Sequence, residues 1–89
     1  MILTSHNLYI MNIYILHFAE INLEGILSID CKKFSKLEDA QKEQETIIDT
    51  FRKKLQSDNY EFTETYIRHF REISCTENLI EIQTHIEIF

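Results

Sequence analysis

The sequence is short of the residues that many familiar binding sites need. Its 89 residues include no proline and no tryptophan, only one glycine and only two cysteines. The single glycine, Gly25, cannot build a glycine-rich loop that cradles phosphate groups. No window approaches about 18 uncharged apolar residues, which a membrane-spanning helix would require. We therefore expect neither a phosphate-binding loop nor a membrane partner.

Positive charge is also scarce, and the negative charge is unevenly distributed. Nine Lys and Arg residues stand against fifteen Asp and Glu residues, a net charge of −6 that argues against direct nucleic-acid binding. Residues 60–89 hold six carboxylates against two arginines, so they carry −4 of this charge. Carboxylates of this segment could present an anionic ribbon to a basic protein partner, or could simply keep exposed strands soluble. The candidate partner-binding residues are Glu61, Glu64, Glu72, Glu81 and Glu87.

Residue types that bind zinc are present, but not at the spacings of zinc motifs. No C-x2-C or H-x3-H pattern connects them, and no local motif marks a nucleophile with its base. We expect no metal ion, no cofactor and no catalytic residue, and an enzyme that uses Cys75 or His85 is the third alternative. The residues concerned are His6, His17, His69, His85, Cys31 and Cys75.

The start of the chain and its cysteines favour a reduced, cytoplasmic protein. The N-terminus lacks the basic flank and small-residue cleavage site of a secretory signal. Two thiols suit a reducing compartment at least as well as one disulfide would suit an oxidising one. Residues 1–10 show no clear period and are predicted to be a leader prone to fraying, and residues 11–89 are predicted to be one domain. The 44% apolar content is too high for a disordered chain.

Two strands are predicted before residue 35. The run from Tyr9 to Phe18 is apolar on both alternating sets, which is typical of a central strand. Leu27, Ile29 and Cys31 then alternate with polar residues, which predicts a strand with one buried face. Because Gly25 lies between the two runs, they are predicted to form a hairpin.

A long helix is the clearest element of the sequence. Ser35 and Glu38 have the spacing of a capping box, which satisfies free amide groups at a helix start. Apolar residues then recur three and four positions apart as far as Leu55, and polar residues from Ser57 end the pattern.

The last third of the chain predicts further strands. Residues 60–73 fit either a helix or a strand, and their threonine and tyrosine content favours a strand. Residues 80–88 alternate strictly between apolar and polar side chains, as in a strand with one wet face. The predicted fold class is therefore α+β, a two-layer β-β-α-β-β domain with one long helix on a mainly antiparallel sheet.

One helix cannot cover both faces of such a sheet, so the sequence predicts an exposed apolar surface. Exposed contiguous apolar surface usually marks an interface, and two-fold homodimers are the commonest way to cover it. The alternative is that residues 1–10 fold back over this face. The candidate dimer face comprises Met11, Ile13, Ile15, Tyr66 and Phe70.

Three segments resemble parts of known proteins: the opening MNIYILHF, the helix entry CKKFSKLEDAQKE and the closing IEIQTHIEIF. Together they resemble small uncharacterised α+β proteins of phages and mobile elements of low-GC bacteria. The resemblance implies a small accessory protein of this type, without catalytic residues to transfer. Since such proteins include inhibitors of host defence systems, it also implies an inhibitory role as an alternative to self-association.

Overall fold

The computed structural model describes residues 12–22, 24–77 and 80–89. Within them the chain forms five strands and one helix, and the strands make one sheet in the order β2-β1-β5-β4-β3. Every neighbouring pair is antiparallel. The elements are β1 (Tyr14–Asn22), β2 (Gly25–Phe34), α1 (Leu37–Ser57), β3 (Thr63–Ile67), β4 (Phe70–Cys75) and β5 (Ile80–Ile88). The predicted two-layer α+β class is confirmed. The predicted leader, residues 1–10, lies outside the described residues.

The segment predicted as a third strand is a hairpin of two strands. Ile67 of β3 pairs with Phe70 of β4, so only Arg68 and His69 connect the two strands. Arg68 has a φ of 53°, in the left-handed region that tight hairpin turns require. Glycine or asparagine usually occupies such a position. The turn therefore has no signal in the sequence, and the fifth strand could not be anticipated.

The helix begins one residue later than the predicted capping box would place it. Lys36 is the N-cap residue, with extended backbone angles and no capping hydrogen bond from a side chain, so the predicted cap by Ser35 and Glu38 is wrong. The reason is that β2 continues to Phe34, which packs against the same core cluster as Leu37. Ser35 and Lys36 are needed to carry the chain from the sheet to the helix layer.

The end of the helix agrees with the prediction. The backbone N–H of Asp58 donates to the carbonyl of Lys54, and that of Tyr60 donates to the carbonyl of Leu55. Asn59 has a φ of 60°, which a short polar side chain tolerates better than most. These bonds satisfy carbonyl groups of the last turn and direct the chain back toward the sheet.

The core lies between α1 and the central strands, in two apolar clusters. The smaller cluster joins Leu16 of β1 to Ala40 and Ile86. The larger cluster is formed by Ile48, Leu55, Ile73, Cys75 and Ile82, and the rings of Phe51, Tyr60 and Phe62 pack around it. The helix contributes to both clusters from the single stripe that its periodicity predicts.

A buried polar connection separates the two clusters. The Gln44 side chain is 1% exposed, and its Nε2 donates to the His69 carbonyl at 2.9 Å and to Thr84 Oγ1 at 3.0 Å. The Thr84 hydroxyl in turn donates to the carbonyl of Arg71 at 2.9 Å. Because buried polar groups are costly unless paired, these bonds fix the helix in register with β5 and with the β3–β4 turn.

Candidate interaction surface on the open face of the sheet

The helix packs on one face of the sheet, and no described element packs on the other, which we call the open face. Strand registers assign side chains to it, because paired residues point to the same face and successive residues to opposite faces. Its members are Ile26, Ile29, Cys31 and Lys33 of β2, Ile15, His17, Ala19 and Ile21 of β1, Glu81, Gln83, His85 and Glu87 of β5, Phe70, Glu72 and Ser74 of β4, and Thr63, Thr65 and Ile67 of β3.

Strand β2 turns its apolar side toward the open face. Ile29 is 69% exposed and Ile26 is 60% exposed, so the prediction that the apolar side of this strand is buried is wrong. The polar alternate residues face the helix layer instead, where the Lys32 ammonium forms an ion pair with Glu43 of α1. Leu27, which is 52% exposed, is the additional residue at an irregularity in the β1–β2 pairing. An amphipathic strand thus presents its apolar side to solvent.

A row of four side chains crosses the middle of the open face. Cys31, His17, His85 and Phe70 are successive register partners on β2, β1, β5 and β4. The imidazole rings of His17 and His85 stack with centroids 6.5 Å apart. Nε2 of His17 lies 2.9 Å from the Glu87 carboxylate. A groove of about 280 Å³ runs along this row, with Ala19 and Ile29 in its apolar wall.

Two carboxylates lie close together at one end of the open face. Glu72 and Glu81 occupy adjacent strands, and Gln83 donates a 3.2 Å hydrogen bond to Glu72. A hydrogen bond with Glu81, partial burial and repulsion from the Glu81 charge together raise the pKa of Glu72. No ion pair among the described residues includes either carboxylate. This end of the face therefore carries negative charge that the described side chains do not neutralise.

The structure divides the five predicted partner-binding carboxylates between different surfaces. Glu72, Glu81 and Glu87 share the open face, and Glu61 is exposed before β3. Glu64 belongs to the helix side, where its two oxygens accept 2.8 Å hydrogen bonds from Arg52. These bonds, with the nearby charges of Arg52 and Arg71, lower the pKa of Glu64. Three of the five predicted carboxylates therefore share one face, whereas Glu64 is paired with Arg52 of the same chain.

The predicted dimer face is also divided. Ile13 and Ile15 lie on the open face beside β2, and Ile13 is 37% exposed. Phe70 lies on the open face too, but β5 separates it from Ile15. Tyr66 is on the helix side, where the Arg71 guanidinium stacks 4.8 Å from the centre of its ring. Met11 lies outside the described residues.

Three apolar residues at the β2 edge were missed as surface candidates, namely Ile26, Leu27 and Ile29. The alternation of Leu27, Ile29 and Cys31 is visible in the sequence, and it indicates an amphipathic strand. Alternation alone does not tell which layer covers the apolar side. The missing information was the width of the sheet and the position of the helix on it.

The remaining side chains that could react or bind a metal ion are dispersed. Cys31 is exposed on the open face, and Cys75 is buried on the helix side of β4; both are free thiols. The described residues contain no cluster of three or more His, Cys, Asp or Glu side chains arranged to hold a metal ion. Among these residues no helix is both long enough and apolar enough to cross a membrane.

Comparison of the chain with protein-family models, curated proteins and solved structures finds no match. The open face is therefore characterised by its own geometry, which combines an apolar edge at β2, a central imidazole pair and an acidic end.

Proposed function

We propose that this protein is a small, non-enzymatic interaction domain that self-associates through the β2 side of the open face. The observation that carries the proposal is the orientation of β2, whose isoleucines point to solvent while Ser28, Asp30 and Lys32 point to the helix layer. A strand whose pattern served only its own fold would bury Ile29, which is 69% exposed. Contiguous exposed apolar surface of this kind marks an interface.

A homodimer is the oligomer we propose, because a two-fold axis lets strand β2 lie against β2 of a second copy. In this proposal the protein acts in the cytoplasm, where its exposed thiol stays reduced. The resemblance of three segments to phage and mobile-element proteins is compatible with an accessory role of this type.

The test is the mass of the purified protein in solution, measured by light scattering under reducing conditions. We expect the mass to approach twice the 10.7 kDa of one chain as the concentration rises. Replacing Ile29 by lysine places a charge in the apolar patch, so the variant is expected to remain a monomer where the wild type is dimeric.

The matched control is Ile67→Lys, which changes an isoleucine of nearly equal exposure, 63%, on β3 at the opposite edge of the sheet. This control is expected to keep the dimer. A wild-type protein that stays monomeric at high micromolar concentration would refute self-association, and equal effects of the two substitutions would refute the assignment to β2.

A second candidate function rests on the adjacent carboxylates Glu72 and Glu81. We propose as the alternative that this acidic end binds a basic site on a host protein, as an inhibitor or nucleic-acid mimic would. An uncompensated carboxylate pair is expensive to maintain unless a cation approaches it, and a basic partner would supply one.

This alternative is tested by capture from a bacterial lysate at low and at raised salt. The double variant Glu72→Gln and Glu81→Gln should lose a partner that the wild type retains at low salt. A second double variant, Glu38→Gln and Glu61→Gln, removes the same charge from exposed positions elsewhere and should retain that partner. Equal capture by both variants would exclude the acidic end as the binding site.

A further inference from the structure

Strand β2 has an edge that no described strand covers. It is ten residues long and lies first in the sheet, and β1 is its one neighbour among the described strands. The backbone N–H of Cys31 donates to its neighbouring Asp30 carboxylate at 2.8 Å and not to β1. Since alternate residues of a strand direct their N–H and C=O groups to the same side, Ile29, Cys31 and Lys33 present these groups at the free edge.

We propose that β2 pairs antiparallel with β2 of a second copy, with the two-fold axis passing beside Cys31. The two five-stranded sheets would then form one continuous sheet of ten strands. This inference rests on the self-association proposed above, and it specifies the geometry of that association. Backbone groups at the free edge are a template for strand addition, and the alternate side chains fix the register.

Charge complementarity favours this register over the two adjacent ones. With Cys31 opposite its own copy, Asp30 lies opposite Lys32 of the second copy, and the symmetry repeats this attractive pair. Ile29 then lies opposite Lys33 of the second copy. In this register each residue whose backbone N–H and C=O groups point to the free edge lies opposite a residue whose groups also point there. Moving the axis by one residue would place Asp30 opposite Asp30 of the second copy, or Lys32 opposite Lys32 of the second copy. Like charges directly opposite each other destabilise a strand pair.

The carboxylates of the open face favour edge pairing over stacking of two open faces. Stacked faces would take Glu72, Glu81 and Glu87 out of water and bring them toward the same groups of the second copy. Desolvating charges without oppositely charged partners is strongly unfavourable. Edge pairing leaves these groups in water, and it lays Ile29 against the aliphatic stem of Lys33 of the second copy.

A charge exchange between two variants tests the register. Asp30→Lys alone and Lys32→Asp alone each oppose like charges at both symmetric positions, and we expect the dissociation constant of each homodimer to rise at least about tenfold. When the two variants are mixed, both positions oppose unlike charges again, so a heterodimer should form. Both side chains are exposed, and circular dichroism of each variant checks that it is folded.

The exposed thiol of Cys31 provides a second test of where the two-fold axis lies. Residues that exchange both backbone hydrogen bonds have Cα atoms about 5.5 Å apart, within the range that a disulfide can bridge. Diamide, a two-electron oxidant, would accept two electrons and two protons from the paired thiols and leave a covalent dimer. We expect this dimer from the wild type and from Cys75→Ala, and its loss in Cys31→Ser and in Asp30→Lys.

The outcomes separate this inference from the proposed function. A wild type that is monomeric refutes both. A wild-type dimer whose two charge variants each dimerise as well as the wild type, or whose Cys31 thiols resist oxidative pairing, refutes the edge register and leaves self-association standing. Heterodimer formation from two separately monomeric variants supports the register.

Discussion

Strands β2 and β5 flank the same central strand and are both amphipathic, yet they direct their apolar sides to opposite faces of the sheet. On β5 the isoleucines face the helix, and Ile82 and Ile86 are 6% and 1% exposed. On β2 the isoleucines face away from the helix, and Ile29 is 69% exposed. The two strands therefore have the same kind of sequence pattern, but only β5 uses it to build the core of its own chain.

The difference follows from the dimensions of the two layers. A helix with its side chains is about 10 Å wide, and strands are spaced about 4.8 Å apart, so one helix covers little more than two strands. The contacts of α1 are spread over β4, β5, β1 and one end of β2. Because the side of β2 that faces α1 carries Ser28, Asp30 and Lys32, the apolar side of this edge strand can be covered only from outside this layer.

The sharpest contrast is expected from truncating one isoleucine on each strand. Ile86→Ala leaves a cavity in the smaller core cluster and should lower the free energy of unfolding by about 3 kcal/mol. Ile29→Ala removes an exposed side chain and should change it by less than about 0.5 kcal/mol at concentrations where the protein is monomeric. Urea denaturation measures both values, and losses of similar size would abolish the distinction between the strands.

Gln44 ties the helix to β5, and β2 has no buried equivalent among the described residues. Gln44→Ala removes two hydrogen bonds and leaves Thr84 without its donor, so we expect a loss of about 2 kcal/mol in the free energy of unfolding. The control is Gln56→Ala on the exposed side of the same helix, which should cost less than about 0.5 kcal/mol. If both substitutions had equally small effects, the buried connection would not contribute to the packing of β5.

The other edge strand, β3, is attached to the helix by charge, and Glu64→Gln tests that attachment. The substitution weakens two hydrogen bonds from Arg52 and should cost about 0.5 to 1 kcal/mol at neutral pH. Because the pKa of Glu64 is lowered from its ordinary value of 4.5, its contribution is present above that value and is lost as the pH falls through the lowered pKa. The difference from the wild type in thermal unfolding should vanish in acid. The same loss in Glu61→Gln, or a difference that persists in acid, would contradict this role.

The smallest effect is expected at the acidic end of the open face, and its sign is opposite. The pKa of Glu72 is raised above its ordinary value of 4.5, so its contribution to stability is present below that value and is lost as the pH rises through the raised pKa. Glu72→Gln should therefore stabilise the protein at pH 7, by about 0.3 kcal/mol. A destabilised variant would show that the carboxylate pair is satisfied within the chain.

Much of this fold could be predicted from the sequence, because its central features are local. The helix stripe, the alternation of β5 and the class of the domain depend on periodicity alone. The β3–β4 turn could not be predicted, because Arg68 adopts a positive φ without glycine or asparagine. The exposure of β2 and the separation of Tyr66 from Phe70 depend on tertiary arrangement, which alternating patterns do not determine.

The candidate surface was predicted only in part, for the same reason. Ile13 and Ile15 were placed on an uncovered face because both sides of β1 are apolar, and Glu72, Glu81 and Glu87 do share one face. Glu64 lies on the helix side because it is the register partner of Ile73, and there it pairs with Arg52, twelve residues earlier in the chain. Long-range ion pairs of this kind leave no periodic signal in the sequence.

The central claim is that the apolar edge strand β2 is covered by a second copy of the chain. Amide hydrogen exchange of Ile29, Cys31 and Lys33, measured at low and at high protein concentration, tests it most directly. Pairing predicts that these amides exchange more slowly as the concentration rises, whereas exposed amides of β3 at the opposite edge keep their rate. Exchange at the rate of an unpaired strand at every concentration would contradict it.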